Sequence, residues 1–149
     1  MDQPLVEWYC DVCGNKIEDI NKGYVIWKKT KELKSYSFKI VHKTECDLND
    51  HVESAALNKF LGEKGLAYLL SKFSIGPIMN HINDESYCGV ADFDEFVDFI
   101  RRVQTPFYEQ ARRHFSNEDV LDEYCDANEY LPYLPEELKD IITEYDENC

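Results

Sequence analysis

Two short motifs, Cys10-Asp-Val-Cys13 and His42-Lys-Thr-Glu-Cys46, bracket a strand-rich segment near the start of the chain. Zinc takes thiolate and imidazole ligands, and structural zinc sites are commonly built from a Cys-x-x-Cys pair and a second close pair on a later element. The spacing therefore predicts a closed, tetrahedral, structural zinc site. All four of its ligands would come from the protein, and they are Cys10, Cys13, His42 and Cys46.

The thiols also have other interpretations. A Cys-x-x-Cys pair can be a redox pair, but that requires a helix N terminus to lower the pKa of a thiol, whereas Cys13-Gly14-Asn15 leads into a turn. A set of thiols without metal is the remaining alternative. Three cysteines have no close Cys or His neighbour. We interpret Cys88 and Cys125 as small, partly buried residues and Cys149 as part of a mobile tail.

The segment between the two motifs has the pattern of a β-hairpin. Residues 23–29 are rich in β-branched and aromatic side chains, residues 30–35 are polar, and residues 36–42 alternate between apolar and polar. Two such runs joined by a polar loop predict two antiparallel strands. Because side chains alternate along a strand, one face of the second strand should carry Tyr36, Phe38, Ile40 and His42.

Helical periodicity begins at Glu53 and continues to the Gly76-Pro77 break, after which residues 78–91 lack a regular pattern and predict a loop. Capping residues and prolines predict four later helices, which begin at Asp92, Thr105, Ser116 and Pro135. We therefore expect one α+β domain over residues 1–149. Residues 1–50 would be a zinc-binding β-hairpin module, packed on an acidic helical body of five or six short helices at residues 51–149.

Charge is distributed unevenly along the chain, whose net charge is −14. Residues 1–46 carry eight lysines against seven acidic residues, whereas residues 47–149 carry eight basic residues against twenty-three acidic ones. The acidic part would repel nucleic acid, whose binding depends on basic groups at phosphates, so a protein with a basic surface is the expected partner.

No apolar run reaches the roughly 20 residues that span a bilayer, and the N terminus does not resemble a signal peptide. We expect a cytoplasmic protein without a membrane partner.

The order of a Cys-x-x-Cys knuckle, a β-hairpin and a second ligand pair before a helix resembles a treble-clef or zinc-ribbon module. The resemblance covers roughly the first third of the chain. It implies the ligand set Cys10, Cys13, His42 and Cys46. A second pair of the form His-x-x-x-Cys departs from the usual Cys-x-x-Cys, so the resemblance supports His42 least. The chain as a whole is similar in style to small uncharacterised bacterial proteins, a likeness that implies no activity.

Some treble-clef proteins are HNH nucleases, and His42, Asn49 and His51 form the corresponding candidate set. The sequence gives this reading little support, because His42 is expected at the zinc and no adjacent Asp-His or His-His pair is present. A nucleic-acid backbone could also meet the basic run Lys28, Lys29, Lys31 and Lys34, with stacking on Trp27 and Tyr36. The simpler interpretation of that run is a solvated hairpin loop.

Acidic residues cluster in two places. Residues 84–98 contain six acidic residues and no Lys or Arg, and the last thirty-three residues contain twelve against Lys139 alone. The clusters lack EF-hand spacing, so calcium is not predicted. They keep a small protein in solution, and they would also suit an acidic mimic of nucleic acid. The pairs Arg101-Arg102 and Arg112-Arg113 are expected on helix surfaces beside such carboxylates, with little effect on stability.

These patterns together predict a small zinc-stabilised protein that acts as a non-catalytic protein-interaction or regulatory module. The sequence contains no nucleophile motif, no phosphate-binding loop and no open-site metal pattern, which disfavours an enzyme. The alternatives are a zinc-dependent nucleic-acid-binding or HNH-like nuclease protein, and an acidic nucleic-acid mimic or inhibitor.

Overall fold

Two antiparallel strands, β3 (Gly23–Lys29) and β4 (Ser35–His42), lie at the centre of the fold and confirm the predicted hairpin. The structure is a computed structural model that describes Leu5 and residues 7–51, 53–82 and 89–146. A smaller hairpin precedes the main one and pairs β1 (Trp8–Tyr9) with β2 (Lys16–Ile17). Cys10 and Cys13 lie in the turn of this small hairpin.

A third strand, β5 (Glu53–Ala56), extends the main sheet in the order β4-β3-β5. This segment was expected to be helical, and that prediction is wrong. Ala55 pairs with Val25 and Ala56 with Tyr24, so the segment satisfies the free edge of β3. Helical spacing of its apolar residues is a local signal, and the strand pairing that overrides it is not local.

The described residues contain six α-helical segments. The prediction of five or six helices is matched only roughly, because two of these segments are very short. The segments are α1 (Gly62–Phe73), α2 (Pro77–Ile82), α3 (Phe93–Gln104), α4 (Tyr108–Arg112), α5 (Glu118–Tyr124) and α6 (Pro135–Tyr145). Three 3₁₀ turns accompany them, at Ile20–Lys22, Leu57–Phe60 and Leu131–Tyr133. The chain is therefore α+β, with its β-hairpins at the N-terminal end.

Two helix starts were predicted correctly and two were not. The Asp92 side chain accepts a hydrogen bond from the Glu95 amide at the start of α3, and Pro135 begins α6. The helix expected at Thr105 begins instead at Tyr108. Asn117 rather than Ser116 caps α5, since its side chain accepts from the amide of residue 119. In addition, α2 lies in the stretch that was expected to be a loop.

The inward face predicted for β4 is interrupted near its start. The register of β3 and β4 shifts between Ile26 and Lys28, and Ser37 has a positive φ of 58°. This irregularity changes the alternation of side chains. Tyr36 is consequently 36% exposed, whereas Phe38 is buried. Phe38 joins the core as predicted, and Tyr36 does not.

Buried side chains form two clusters. The larger one joins the sheet to α1 and α3, and its aromatic members are Trp8, Trp27, Phe38, Phe60, Phe73, Phe96 and Phe99. Phe38 stacks on Phe99 with ring centroids 5.2 Å apart, and Trp27 meets Phe73 edge-on at 5.0 Å. The smaller cluster joins α4, α5 and α6 through Tyr108, Ala111, Val120, Leu138, Ile141 and Ile142.

The outer edge of β4 is covered along its length by other parts of the chain. The Ser35 amide donates to the Gly89 carbonyl, and the Ser35 carbonyl accepts from Ala91. Further along, the Ser37 amide donates to the Glu95 carboxylate and the Ile40 amide to that of Asp11. Covered edges do not recruit further strands.

Two remaining predictions concern cysteines and membranes. Cys125, directly after α5, is exposed, which corrects the expectation that it is partly buried. Cys88 and Cys149 lie outside the described residues. Among the helices described, none combines the length and the apolar character needed to cross a membrane.

Candidate metal centre

The structure brings together the four predicted side chains Cys10, Cys13, His42 and Cys46. Their ligand atoms all lie within 4.8 Å of one another. His42 Nδ1 lies 3.4 Å from Cys13 Sγ and 3.7 Å from Cys46 Sγ. Zinc–sulfur bonds of about 2.3 Å and zinc–nitrogen bonds of about 2.0 Å at tetrahedral angles place ligand atoms about 3.5 to 3.8 Å apart. The donor set and its spacing therefore fit a metal ion of this size.

The first ligand pair lies in a tight turn whose backbone is directed at a sulfur. The amides of Val12 and Cys13 lie 3.4 and 3.5 Å from Cys10 Sγ. Gly14 has a φ of +78° and donates to the Cys10 carbonyl at 2.9 Å. Burial alone would raise the pKa of the Cys10 thiol, but the Cys13 amide, His42 and the Val12 amide outweigh it and lower the pKa to about 6. The turn thus favours a thiolate before any cation binds.

The second pair lies where β4 ends. His42 Nε2 donates to the Lys16 carbonyl at 3.1 Å, which leaves Nδ1 as the unprotonated nitrogen that faces the sulfurs. The chain then turns through Thr44, whose φ is +76°, and the Cys46 amide donates to the His42 carbonyl at 3.2 Å. This turn returns the Cys46 sulfur to the imidazole.

The environment of the Cys46 thiol shows why a cation suits the cluster. Burial, followed by hydrogen bonding to Cys10 and Cys13, raises the pKa of Cys46 to about 12. A divalent cation reverses this balance because coordinating thiols lose their protons. Three sulfurs and one nitrogen at this separation are thus a natural site for a soft divalent metal.

A buried ion-pair network, which the sequence analysis did not predict, links this turn to the helices. Arg102 of α3 is only 3% exposed and donates to the Asp11 carboxylate at 2.7 Å. Asp11 lies between Cys10 and Cys13, and it also pairs through its backbone amide with the Ile40 carbonyl at 2.8 Å. The expectation that Arg102 lies on a helix surface is therefore wrong.

Glu109 of α4 completes the network. Its two carboxylate oxygens accept from Nε and Nη2 of Arg102, each at 2.7 Å, and one of them also accepts from the Tyr9 amide at 3.0 Å. Burial opposes the charge of Arg102, but Glu109 and then Asp11 outweigh it and raise the pKa of Arg102. Only the Arg-Arg dipeptide was visible in the sequence. Its partners lie ninety-one positions before Arg102 and seven after it.

The nuclease candidates do not converge. His42 faces Cys13 and Cys46, whereas His51 Nε2 pairs with Asp47 Oδ1 at 2.6 Å. Asn49 is exposed. Within the described ranges, no second group of three or more His, Cys, Asp or Glu side chains has the spacing of a metal site. The geometry therefore gives the HNH interpretation no support.

The basic run of the hairpin is largely neutralised by acidic neighbours. Lys28 pairs with Asp50 and Lys29 with Glu53, both at 2.9 Å. Trp27 is buried in the core and cannot stack on a base. Lys31 and Lys34 are the exposed members of the run. Two of the four lysines and one of the two aromatic side chains are therefore engaged within the chain, which leaves Lys31, Lys34 and the 36% exposed Tyr36 for any nucleic-acid contact.

No family model, no curated protein and no solved structure matches the chain. The residues themselves show an α+β chain with an N-terminal β-hairpin beside a cluster of three cysteines and one histidine that can hold a metal ion. The assignment to the treble-clef or zinc-ribbon type stays a prediction.

Proposed function

We propose that the chain is a zinc-stabilised, non-catalytic module that acts by binding another protein. The observation that carries this proposal is the convergence of three cysteine sulfurs and the His42 nitrogen within 4.8 Å. Four protein ligands fill a tetrahedral site, whereas a catalytic zinc keeps one position for water or substrate. Sulfur and imidazole donors favour zinc over magnesium or calcium, which prefer oxygen.

The surroundings of the site support a structural role for the metal. Cys10 is buried and belongs to the larger core cluster. Asp11 in the same turn is bound to Arg102 of α3, so a metal that holds the turn also holds the position of α3 and α4. Zinc would thus keep the hairpins and the helices in one arrangement.

The charge of the chain supports a basic protein as the partner. Residues 47–149 carry twenty-three acidic and eight basic side chains. The negative electrostatic field of these side chains would steer a basic protein surface toward the chain and would disfavour acidic partners. Zinc-dependent nucleic-acid binding is the weaker alternative, because Lys28 and Lys29 are already paired with carboxylates.

Metal analysis of the purified protein tests the first half of the proposal. We expect about one zinc ion per chain, as structural sites of this type bind one, and loss of that ion in Cys13→Ser and His42→Ala. Cys125→Ser is the matched control, because this exposed thiol lies outside the cluster, and it should retain zinc and thermal stability. Metal-free protein that is fully folded would contradict the proposal. Metal-dependent cleavage of DNA or RNA that is lost in His42→Ala would replace it with the nuclease alternative.

A further inference from the structure

Part of the apolar surface of the smaller core cluster is open to solvent. A groove of about 310 Å³ opens between α5, the 3₁₀ turn at Leu131–Tyr133 and α6. Its floor is buried at Val120 and Ile141, but Leu121 on its wall is 54% exposed. The lining residues are Phe115, Val120, Leu121, Tyr124, Cys125, Pro132, Tyr133 and Ile141. A groove of this size accepts a few apolar side chains, and it lies at the lower end of the range of about 300–1,000 Å³ for ligand pockets.

Several carboxylates lie beside the wall of this groove that Tyr124 forms. Tyr124, a lining residue, donates through its hydroxyl to Glu137 at 3.4 Å, and Glu123 precedes it on α5. Burial and the neighbouring carboxylates of Glu144, Glu137 and Asp140 raise the pKa of Glu123. Burial, and then Glu137, Glu123 and Asp140, raise the pKa of Tyr124 to about 12. The acidic side chains of α5 and α6 thus crowd together beside the apolar opening.

Few cations balance these charges from within the chain. Lys139 is the single basic residue among residues 117–146, and its ammonium lies over the ring of Phe107, 5.8 Å from the centroid. One guanidinium, that of Arg101, stacks on the wall residue Tyr133 at 4.2 Å. Throughout the described part of the chain, no basic side chain forms an ion pair with Glu123, Glu137 or Asp140. Complementary charges are therefore left for a partner to supply.

We propose that this groove, with Leu121 and Tyr124 on its wall and Glu123, Glu137 and Asp140 at its rim, binds a segment of a partner protein. That segment would present apolar side chains flanked by lysine or arginine. The inference rests on the proposed interaction function and names its surface. Phosphate-bearing ligands are disfavoured because the rim carries their own sign of charge. A second copy of this acidic face is disfavoured for the same reason.

Amide NMR titration with three peptides of equal length tests the inference. One probe combines leucine and lysine, the second leucine and glutamate, and the third serine and lysine. We expect only the first to bind, with resonance shifts centred on Leu121, Tyr124 and Tyr133. Leu121→Ser should weaken binding about tenfold, because burial of a leucine side chain is worth at least that factor. Leu70→Ser, which alters a residue of α1 that is 45% exposed, is the matched control and should leave binding unchanged.

A charge variant tests the rim separately. The triple change Glu123→Gln, Glu137→Gln and Asp140→Asn should remove the salt dependence of binding between low and high ionic strength. Equal binding of the leucine–glutamate probe, shifts centred elsewhere, preference for a DNA oligonucleotide, or self-association abolished by Leu121→Ser would each overturn the inference. Zinc content separates the two proposals. Zinc-loaded protein that binds no probe refutes the groove alone, whereas metal-free protein that binds the first probe refutes the zinc site alone.

Discussion

The guanidinium of Arg102 lies 2.7 Å from the carboxylate of Asp11, and this contact joins α3 to the turn that carries Cys10 and Cys13. Glu109 binds the same guanidinium with both oxygens. The candidate metal centre and the helices are therefore held together by a buried network rather than by surface contact alone. Arg102 and Glu109 thus fix the position of this turn relative to α3 and α4.

Loss of Arg102 should destabilise the protein strongly. Arg102→Met leaves the buried carboxylate of Glu109 without its cation, which costs about 3–5 kcal/mol, and urea unfolding measures the loss. Arg113→Met is the matched control, because Arg113 pairs with Asp146 in a more exposed position, and it should cost about 1 kcal/mol or less. The double change Arg102→Met and Glu109→Gln should recover part of the loss. Equal unfolding free energies for the two single variants would refute a structural role for the network.

Gly14→Ala should weaken both the fold and the zinc affinity. The φ of Gly14 is +78° and a Cβ would meet nothing within 4 Å, so the cost is conformational rather than steric. A residue with a Cβ loses about 1–2 kcal/mol in this region. Gly14→Asn should lose less, because asparagine tolerates positive φ. Gly76→Ala, which also meets no neighbour and has no positive φ, should be neutral in thermal unfolding and in zinc competition. Equal effects at Gly14 and Gly76 would contradict this account.

Gly65→Ala should reverse the usual effect of alanine in a helix. Helix propensity alone predicts a gain of about 1 kcal/mol. In α1, however, a Cβ at Gly65 would lie 2.2 Å from the backbone carbon of Phe60, so α1 must move away from the preceding 3₁₀ turn. We expect a loss of about 1–3 kcal/mol, as for other overpacked sites. Ser71→Ala, at an exposed position of the same helix, should be neutral or slightly stabilising. A stabilised Gly65→Ala variant would show that the close approach is absent.

The contribution of Asp98 should depend on pH. Burial opposes its ionisation, but Arg112 and the Tyr108 hydroxyl outweigh burial and lower the pKa of this carboxyl. A lowered native pKa adds stability above the unfolded pKa of about 3.9, and this stability is lost as the pH falls through the native value.

Asp98→Asn should therefore destabilise the protein at pH 7, by about 1 kcal/mol because the pair is partly exposed. The difference in unfolding free energy from the unmodified protein should shrink as the pH falls below 4. Asp126→Asn, at an exposed position after α5, should show no such trend. A difference that stays constant with pH would indicate that Asp98 acts through packing rather than charge.

Local signals in the sequence were enough to predict the hairpin, the proximity of the four metal-binding side chains and the starts of α3 and α6. The helix starts depend on residues a few positions apart, such as Asp92 with Glu95, and the four-residue cluster was visible as two short local motifs, Cys10 with Cys13 and His42 with Cys46, which the β3–β4 hairpin brings together. The predictions that failed were at positions whose distant partners left no motif in the sequence. Glu53–Ala56 became a strand because β3 had an edge to satisfy. Arg102 became buried because Asp11 and Glu109 lie beside it, and no periodicity reveals such partners.

The covered edge of β4 has a consequence for how the chain can be divided. Its outward hydrogen-bonding groups are satisfied by Gly89, Ala91 and Glu95 as well as by Asp11, and β5 occupies the opposite side of β3. A fragment that stops at residue 50 would lack β5 and the residues that cover the start of β4, and would keep only the Asp11 contacts at Ile40. We expect such a fragment to associate through its exposed strand edges. The hairpin thus depends for its edges on residues 53–56 and 89–95, which follow it in the chain. We therefore expect residues 1–50 not to fold as an independent unit.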